Sequence, residues 1–250
     1  MDWSDEGFVL SARRHGENAL IISLLTLDHG RHAGLVRGGA GARSRGIYQP
    51  GNLVRAQWRA RLAEHLGTYR CELAQAIAAI HLHAPLPLLA LSAATTLMDV
   101  ALPEREPVPY LFGTLEGLLA VLGEPGWQAT YVRWELDLLG ELGFGLDLSE
   151  CAVTGANDDL AFVSPSSGRA VSIAAAQPYR DRLLTLPAFL VNGSAAAPSS
   201  ADIADGLALT GYFLQRHLLG DNRAALPAAR QMLAEGVMQG ERPGKSDTDV

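Results

Sequence analysis

Arg37, Arg43 and Arg45 lie close together in LVRGGAGARSRG (Leu35–Gly46), on a flexible Gly/Ala tether with no acid beside them. Guanidinium groups presented together can grip a polyanion, because each planar fork offers paired N–H donors to an oxyanion. The alternative is a solvated turn, since clustered charge often does no more than keep a surface wet. The distribution of charge bears on the choice. The chain of 250 residues carries a formal net charge of −7, yet Val9–Arg61 holds nine arginines against two acids, Glu17 and Asp28. After Arg61 there are eleven basic residues against twenty-two acidic ones. So uneven a split predicts a polyanion-binding front and a different task for the back.

Residue types suited to covalent or metal chemistry are sparse. Lys245 is the only lysine, so neither a P-loop lysine nor a Schiff-base lysine is expected in the folded body. HExxH, a nucleophile elbow and a helix-opening GxGxxG are all absent from the sequence. His81-x-His83 has a spacing that turns two helical side chains to different faces, a poor start for a metal site. Asp158-Asp159 in TGANDDLAF lacks further oxygen ligands at fixed offsets and reads as a turn. Cys71 and Cys151 form no disulfide framework. The pattern favours a binding protein over an enzyme. Neither a secretory signal nor a membrane-spanning run is expected, which predicts a soluble cytoplasmic protein.

The arginines need a scaffold, and the front of the chain supplies one in short β-rich segments. These are Glu6–Arg14, Ala19–Leu27, Arg31–Arg37, Asn52–Arg61 and Gly67–Leu73, separated by turn signals such as HGEN, DHG and QPGN. In NLVRAQWRAR, Arg55, Gln57 and Arg59 alternate with Val54, Ala56 and Trp58, as in a strand with one wet and one dry face. Five such strands fit an OB-type barrel, which binds single strands through a basic groove and stacking platforms. The period then becomes helical in Leu88–Val100, Pro109–Leu122, Gln128–Leu142 and Ile203–Leu219, with Asp202 as a candidate N-cap. The predicted class is α+β and multidomain: an OB barrel over 1–80, then helices over 81–150 and 181–236. An insert occupies 151–180, and a polar tail over 237–250 is expected to be disordered.

Three blocks in order, GFVLSARRHGENALIISLLTLDHGRHAGLVRGGAGARSRG, IYQPGNLVRAQW and YVRWELDLLGELGFGLDLSECAVTG, resemble the RecO family of bacterial DNA-repair proteins. The resemblance runs from about Gly7 to Leu219. It implies an N-terminal OB domain, a helical body and, in many members, a zinc-binding insert. It also implies a non-enzymatic mediator in recombinational repair. Such a protein binds single- and double-stranded DNA, anneals complementary strands, grips the C-terminal tail of single-strand-binding protein, pairs with RecR and helps load RecA. Arg14, Arg31, Arg37, Arg43 and Arg45 match basic positions that the family places on DNA. Arg13, Arg55 and Arg59 extend that set, and Tyr48, beside the basic loop, could stack on a base. Trp58 falls on the dry face of its strand and reads as core. Arg133, in YVRWEL, would receive the acidic tail of single-strand-binding protein, with Arg216 and Arg223 as weaker candidates; its plainer role is an ion pair with Glu135 or Asp137. Association with the nucleoid would follow. A protein-interaction adaptor whose barrel no longer binds DNA is the other reading.

The insert departs from the family pattern. Zinc-binding members carry two CxxC pairs, whereas Cys151 here is followed by Thr154, and Ser172 and Ala175 stand near the remaining cysteine positions. One thiolate cannot supply the four ligands of a structural zinc site. No metal and no other cofactor is therefore expected. The insert should be held by packing around Leu160, Phe162 and Val171, with Cys151 as a small hydrophobe.

Overall fold

The computed structural model describes residues 1–41, 44–191, 197–218 and 225–240. It divides into two compact units, Met1–Gly123 and Glu124–Val250. Arg43 and Arg223 lie outside the described residues.

In the first unit, strands β1 (Asp2–His15), β2 (Ala19–Thr26), β3 (Gly30–Val36), β4 (Leu53–Arg59) and β5 (Thr68–Gln75) close a barrel in the order β1-β2-β3-β5-β4. The length of β1 makes closure possible. Its first half pairs with β4, from Asp2↔Arg59 to Phe8↔Leu53, and its second half with β2, from Gly7↔Thr26 to His15↔Ala19. A register shift between Val9 and Ser11 bends it between the two partners. The link between β3 and β5 is a single parallel pair, Leu35↔Thr68. The core is filled from alternate positions by Val9, Leu20, Ile22, Leu24, Val54 and Trp58 with their neighbours. The expected five strands are all present. β1 begins at Asp2 rather than Glu6 because Asp2–Glu6 find ladder partners on β4.

Three helices follow in this unit: α1 (Ile77–Ile80), α2 (Pro85–Ala101) and α3 (Pro109–Val121). Prolines in the first turns of α2 and α3 sit where no intrahelical N–H is required. Phe8, pointing outward from β1, meets Phe112 of α3 with ring centroids 5.1 Å apart, so one outer face of the barrel is covered by helices. Gly30 permits a close approach: its φ is +62°, and a Cβ there would lie 1.9 Å from the Glu106 carbonyl oxygen.

The second unit contains α4 (Trp127–Leu139), which runs into a wider turn over Gly140–Phe144. A three-stranded sheet follows, in the order β7-β6-β8, from β6 (Leu160–Val163), β7 (Ala170–Ser172) and β8 (Leu184–Thr185). Short α5 (Ile173–Ala176), long α6 (Ser200–Leu218) and α7 (Ala228–Gly240) complete it. Two expectations need correction. Residues 237–240, at the start of the tail expected over 237–250, belong to α7, which continues to Gly240, while 241–250 lie outside the described residues. The N-cap of α6 is Ser199 and not Asp202: Ser199 Oγ accepts the Asp202 N–H at 3.1 Å while Asp202 Oδ2 accepts the Ser199 N–H at 2.9 Å. That reciprocal pair is a capping box with aspartate in the third position.

One polar group is sealed into this unit. Glu135 of α4 is fully buried and receives Arg230 Nε of α7 on Oε1 at 2.5 Å. Arg230 Nη2 reaches Oε2 at 2.9 Å, and Thr210 of α6 donates to the same oxygen at 2.5 Å. Arg230 also donates to the Leu207 carbonyl at 2.7 Å, so three helices share one ion pair. Glu135 is therefore not the partner of Arg133.

Candidate nucleic-acid interface

The barrel brings four arginines to one end. Arg14 shares a row with Leu20 and Val36 across β1, β2 and β3, and Arg13 shares the next with Ile21 and Leu35. Arg37 follows the last residue of β3. The loop after it returns to the β1–β2 turn, where Ala40 N–H donates to the Asn18 carbonyl at 3.3 Å. Arg45 lies further along that loop, its N–H bonded to Gly41 O at 3.1 Å. Arg13, Arg14, Arg37 and Arg45 are exposed, and no carboxylate among the described residues is ion-paired with any of them.

Local bonds give the loop a shape. Ser44 N–H and Ile47 N–H close successive turns onto Gly41 O and Ser44 O at 3.1 and 3.0 Å. Asn52, buried at the foot of β4, donates from Nδ2 to Gly46 O at 2.8 Å and to Ile47 O at 3.2 Å. Its Oδ1 accepts the Ala78 N–H of α1 at 3.0 Å.

A second surface that carries arginines lies on the outer face of β1, β4 and β5. Arg55, Gln57 and Arg59 point outward along β4, as their alternation predicts, and Arg70 stands opposite Gln57 on β5. An open cleft of about 740 Å³ is lined here by Trp3, Ser4, Gln57, Arg59, Thr68 and Arg70. The cross-strand partners include acids: Asp2 opposite Arg59, and Glu6 and Glu72 opposite Arg55. Arg55 Nε pairs with Glu6 at 2.9 Å, both exposed, a contact worth about 0–1 kcal/mol. The β4 face is thus mixed in charge, whereas the loop end is positive. Arg70 was not singled out in the sequence, although the alternation Thr68, Arg70, Glu72 in β5 carries the signal.

Two candidates at this interface are used internally. Arg31 keeps 17 % of its side chain exposed; its Nε donates to Leu102 O at 2.7 Å and Nη1 lies 3.5 Å from Glu104 and 3.7 Å from Asp99. It ties β3 to the end of α2 and is not a free phosphate ligand. Tyr48 is 6 % exposed and packed in the barrel core, so its ring offers no face for stacking. Burial pushes its phenol up to about 12. Its position one residue after Ile47 suggested the loop, but its side chain turns inward to anchor it. Trp58 is core, with its indole N–H donated to Leu66 O at 3.0 Å.

On the second unit, Arg133 donates to the Phe189 carbonyl at 2.9 Å and its guanidinium lies over the Phe189 ring at 5.4 Å. Arg216 donates to the Pro165 carbonyl. In the insert, no second thiolate stands beside Cys151 among the described residues. Cys151 is buried, its Sγ accepts the Ser172 N–H at 3.3 Å, and its neighbours are the hydroxyl residues Thr154 and Ser172. Burial alone would raise the thiol, but the hydrogen bonds from Thr154 and Ser172 outweigh it and bring it down to about 6. Among the described residues no group of three or more His, Cys, Asp or Glu could hold a metal, and His81 is buried while His83 is exposed. No helix among them is long and apolar enough to cross a membrane.

Comparison with known proteins accounts for nearly all of this chain. Residues 1–77 match the family model described as Recombination protein O N terminal, and residues 83–226 match Recombination protein O C terminal. The DNA repair protein RecO of Rhodospirillum centenum is 55 % identical over 232 residues, covering 92 % of both chains. That of Rhodospirillum rubrum is 48 % identical over 241 residues, covering 94 % of this chain and 96 % of its own. The Methylobacterium nodulans protein of the same name is 50 % identical over 237 residues, with 93 % and 96 % covered. With its five-stranded barrel, its helices and matches across both terminal regions, the chain belongs to the RecO family of DNA repair proteins.

Proposed function

We propose that this chain is a non-enzymatic mediator of recombinational DNA repair. It binds single- and double-stranded DNA at the barrel, chiefly through phosphate contacts, and anneals complementary strands. Its helical unit receives the C-terminal tail of single-strand-binding protein, it pairs with RecR, and it assists the loading of RecA. The observation that carries the reading is the exposed, unpaired set Arg13, Arg14, Arg37 and Arg45 at one barrel end, where a polyanion meets four guanidinium groups. Arg59 and Arg70 add two further guanidinium groups on the mixed-charge face of β4 and β5. Annealing needs no reacting group in this scheme. Screening two backbones and then releasing them is enough, and neither nucleotide nor metal takes part. Arg133, a cation held against Phe189, suits a peptide that ends in an aromatic residue and a carboxylate. The protein works in the cytoplasm, at the nucleoid.

The test is fluorescence anisotropy of a labelled single strand over a salt series, with the wild type and with the combined Arg37→Ala, Arg43→Ala, Arg45→Ala variant. Loss of three phosphate contacts, at ~0.7 each on a single strand, reduces the slope of log affinity against log salt by roughly two units. An unchanged slope with tight binding places the DNA elsewhere. No binding by either protein favours the adaptor reading.

A further inference from the structure

At the barrel end remote from the basic loop, three rings stand in a column. Trp58 and Trp3 are 5.7 Å apart at 21°, and Trp3 and His29 are 4.0 Å apart at 9°. The column starts in the core and finishes in solvent, because Trp58 is buried while the His29 side chain is 32 % exposed. His29 is held flat on Trp3 by Asp5, whose Oδ2 lies 3.1 Å from His29 Nδ1 and accepts the Asp28 N–H at 2.9 Å. Asp5 Oδ1 accepts the Glu6 N–H at 2.8 Å, so the carboxylate that orients the ring is itself fixed. The ring borders a cavity of about 480 Å³, lined also by Asp2, Asp28, His32, Ala63 and Arg105. Arg105 Nε–H is buried there with no acceptor among the described residues.

We propose that this cavity is a slot for one unpaired nucleobase of a bound single strand, stacked on the outer face of His29. The inference rests on the nucleic-acid reading above and adds to it a contact that reads a base rather than a phosphate. Three features select a base. A flat ring held parallel to an indole extends naturally by one more flat ring. The size is that of a small-ligand pocket. Asp2 and Asp28 offer carboxylate acceptors for ring N–H groups and balance the charges of Arg105 and the Met1 ammonium, so the lining as a whole has no net pull on a phosphate. The cavity adjoins the β4 cleft through Asp2, Trp3 and Trp58, so a strand passing Arg59 and Arg70 arrives beside the slot.

The experiment compares the full chain's affinity for a labelled single strand with that for the same strand carrying stable abasic residues, which are equal in charge. A base–ring stack predicts roughly tenfold weaker binding of the abasic strand by the wild type. His29→Ala brings that ratio close to one and leaves the salt slope unchanged, while His29→Phe, which keeps a flat ring, retains it. A ratio of one in the wild type, or a ratio that His29→Ala does not alter, overturns the slot and leaves phosphate binding intact. No binding of either strand at low salt overturns the nucleic-acid reading itself, and the slot with it. Deoxyadenosine monophosphate is the remaining probe. If it binds alone at millimolar concentration and loses that binding in His29→Ala, the slot belongs to a free nucleotide and the strand assignment fails.

Discussion

Changing Arg230 to methionine leaves the Glu135 carboxylate in a site that excludes water. The carboxylate now accepts three bonds, two from Arg230 and one from Thr210, and the two ionic side chains are 0 % and 2 % exposed. Methionine keeps most of the volume but supplies no donor, so one bond remains for a charge that water cannot reach. Breaking one side of a buried pair in this way costs about 3–5 kcal/mol. The double variant Glu135→Leu, Arg230→Met removes both charges and substitutes apolar contacts, which is often neutral or stabilising by about 1–4 kcal/mol. Thr210→Val, which deletes one bond to a charged acceptor, costs about 1.5–3 kcal/mol. Urea denaturation followed by helical circular dichroism measures all four, since α4, α6 and α7 meet at this pair. The expected ranking places Arg230→Met lowest and the double variant near the wild type. A double variant no more stable than Arg230→Met alone would show that removing the stranded charge relieves nothing, and would refute the argument.

Two further perturbations address the barrel. His32 is buried; desolvation first, and then the charge of Arg105, lower its pKa from 6.5 to about 4. A histidine with a depressed folded value contributes stability that is complete above pH 6.5 and is lost as the pH falls towards 4, at about 1.4 kcal/mol per unit. Wild type should thus lose roughly 2–3 kcal/mol more than His32→Phe between pH 7 and 4, and parallel denaturation curves for the two proteins would refute this. Gly30→Ala meets both a left-handed backbone and the Glu106 carbonyl, whereas Gly38→Ala, at φ +72° with open space around it, meets only the first. Both should lose about 1–3 kcal/mol to backbone strain, with Gly30→Ala losing clearly more, and equal urea midpoints would count against the close approach.

The barrel was legible because its strands read as β-rich runs separated by turn signals rich in glycine, proline and asparagine. Arg55, Gln57 and Arg59 point outward just as their spacing indicates. Helical periodicity located α2, α3, α4 and α6 for the same reason. What escaped was settled by neighbours distant in sequence. Arg31 and Arg37 are alike in the sequence, but the end of α2 folds back on the first and not the second. Tyr48 borders a polar loop, and only the closed barrel turns it inward. Glu135 lies two residues from Arg133, yet its partner is ninety-five residues away. Trp3, on β1, and His29, in the turn between β2 and β3, meet only in the folded barrel, so no spacing in the sequence announces their stack.

Asn52 has a thermodynamic consequence for the basic loop. The buried Asn52 side-chain amide bonds the chain just after Arg45 and the first turn of α1 together, and the Asn52 backbone carbonyl accepts the Val9 N–H at 2.9 Å. The limb of the loop that carries Arg45 has therefore lost most of its conformational freedom before any ligand arrives. A polyanion meeting it gives up less entropy than one meeting a slack glycine tether would. A polyanion gripped there should accordingly lose less entropy than the glycine content of the loop suggests, and the restraint belongs to a residue buried beneath the loop.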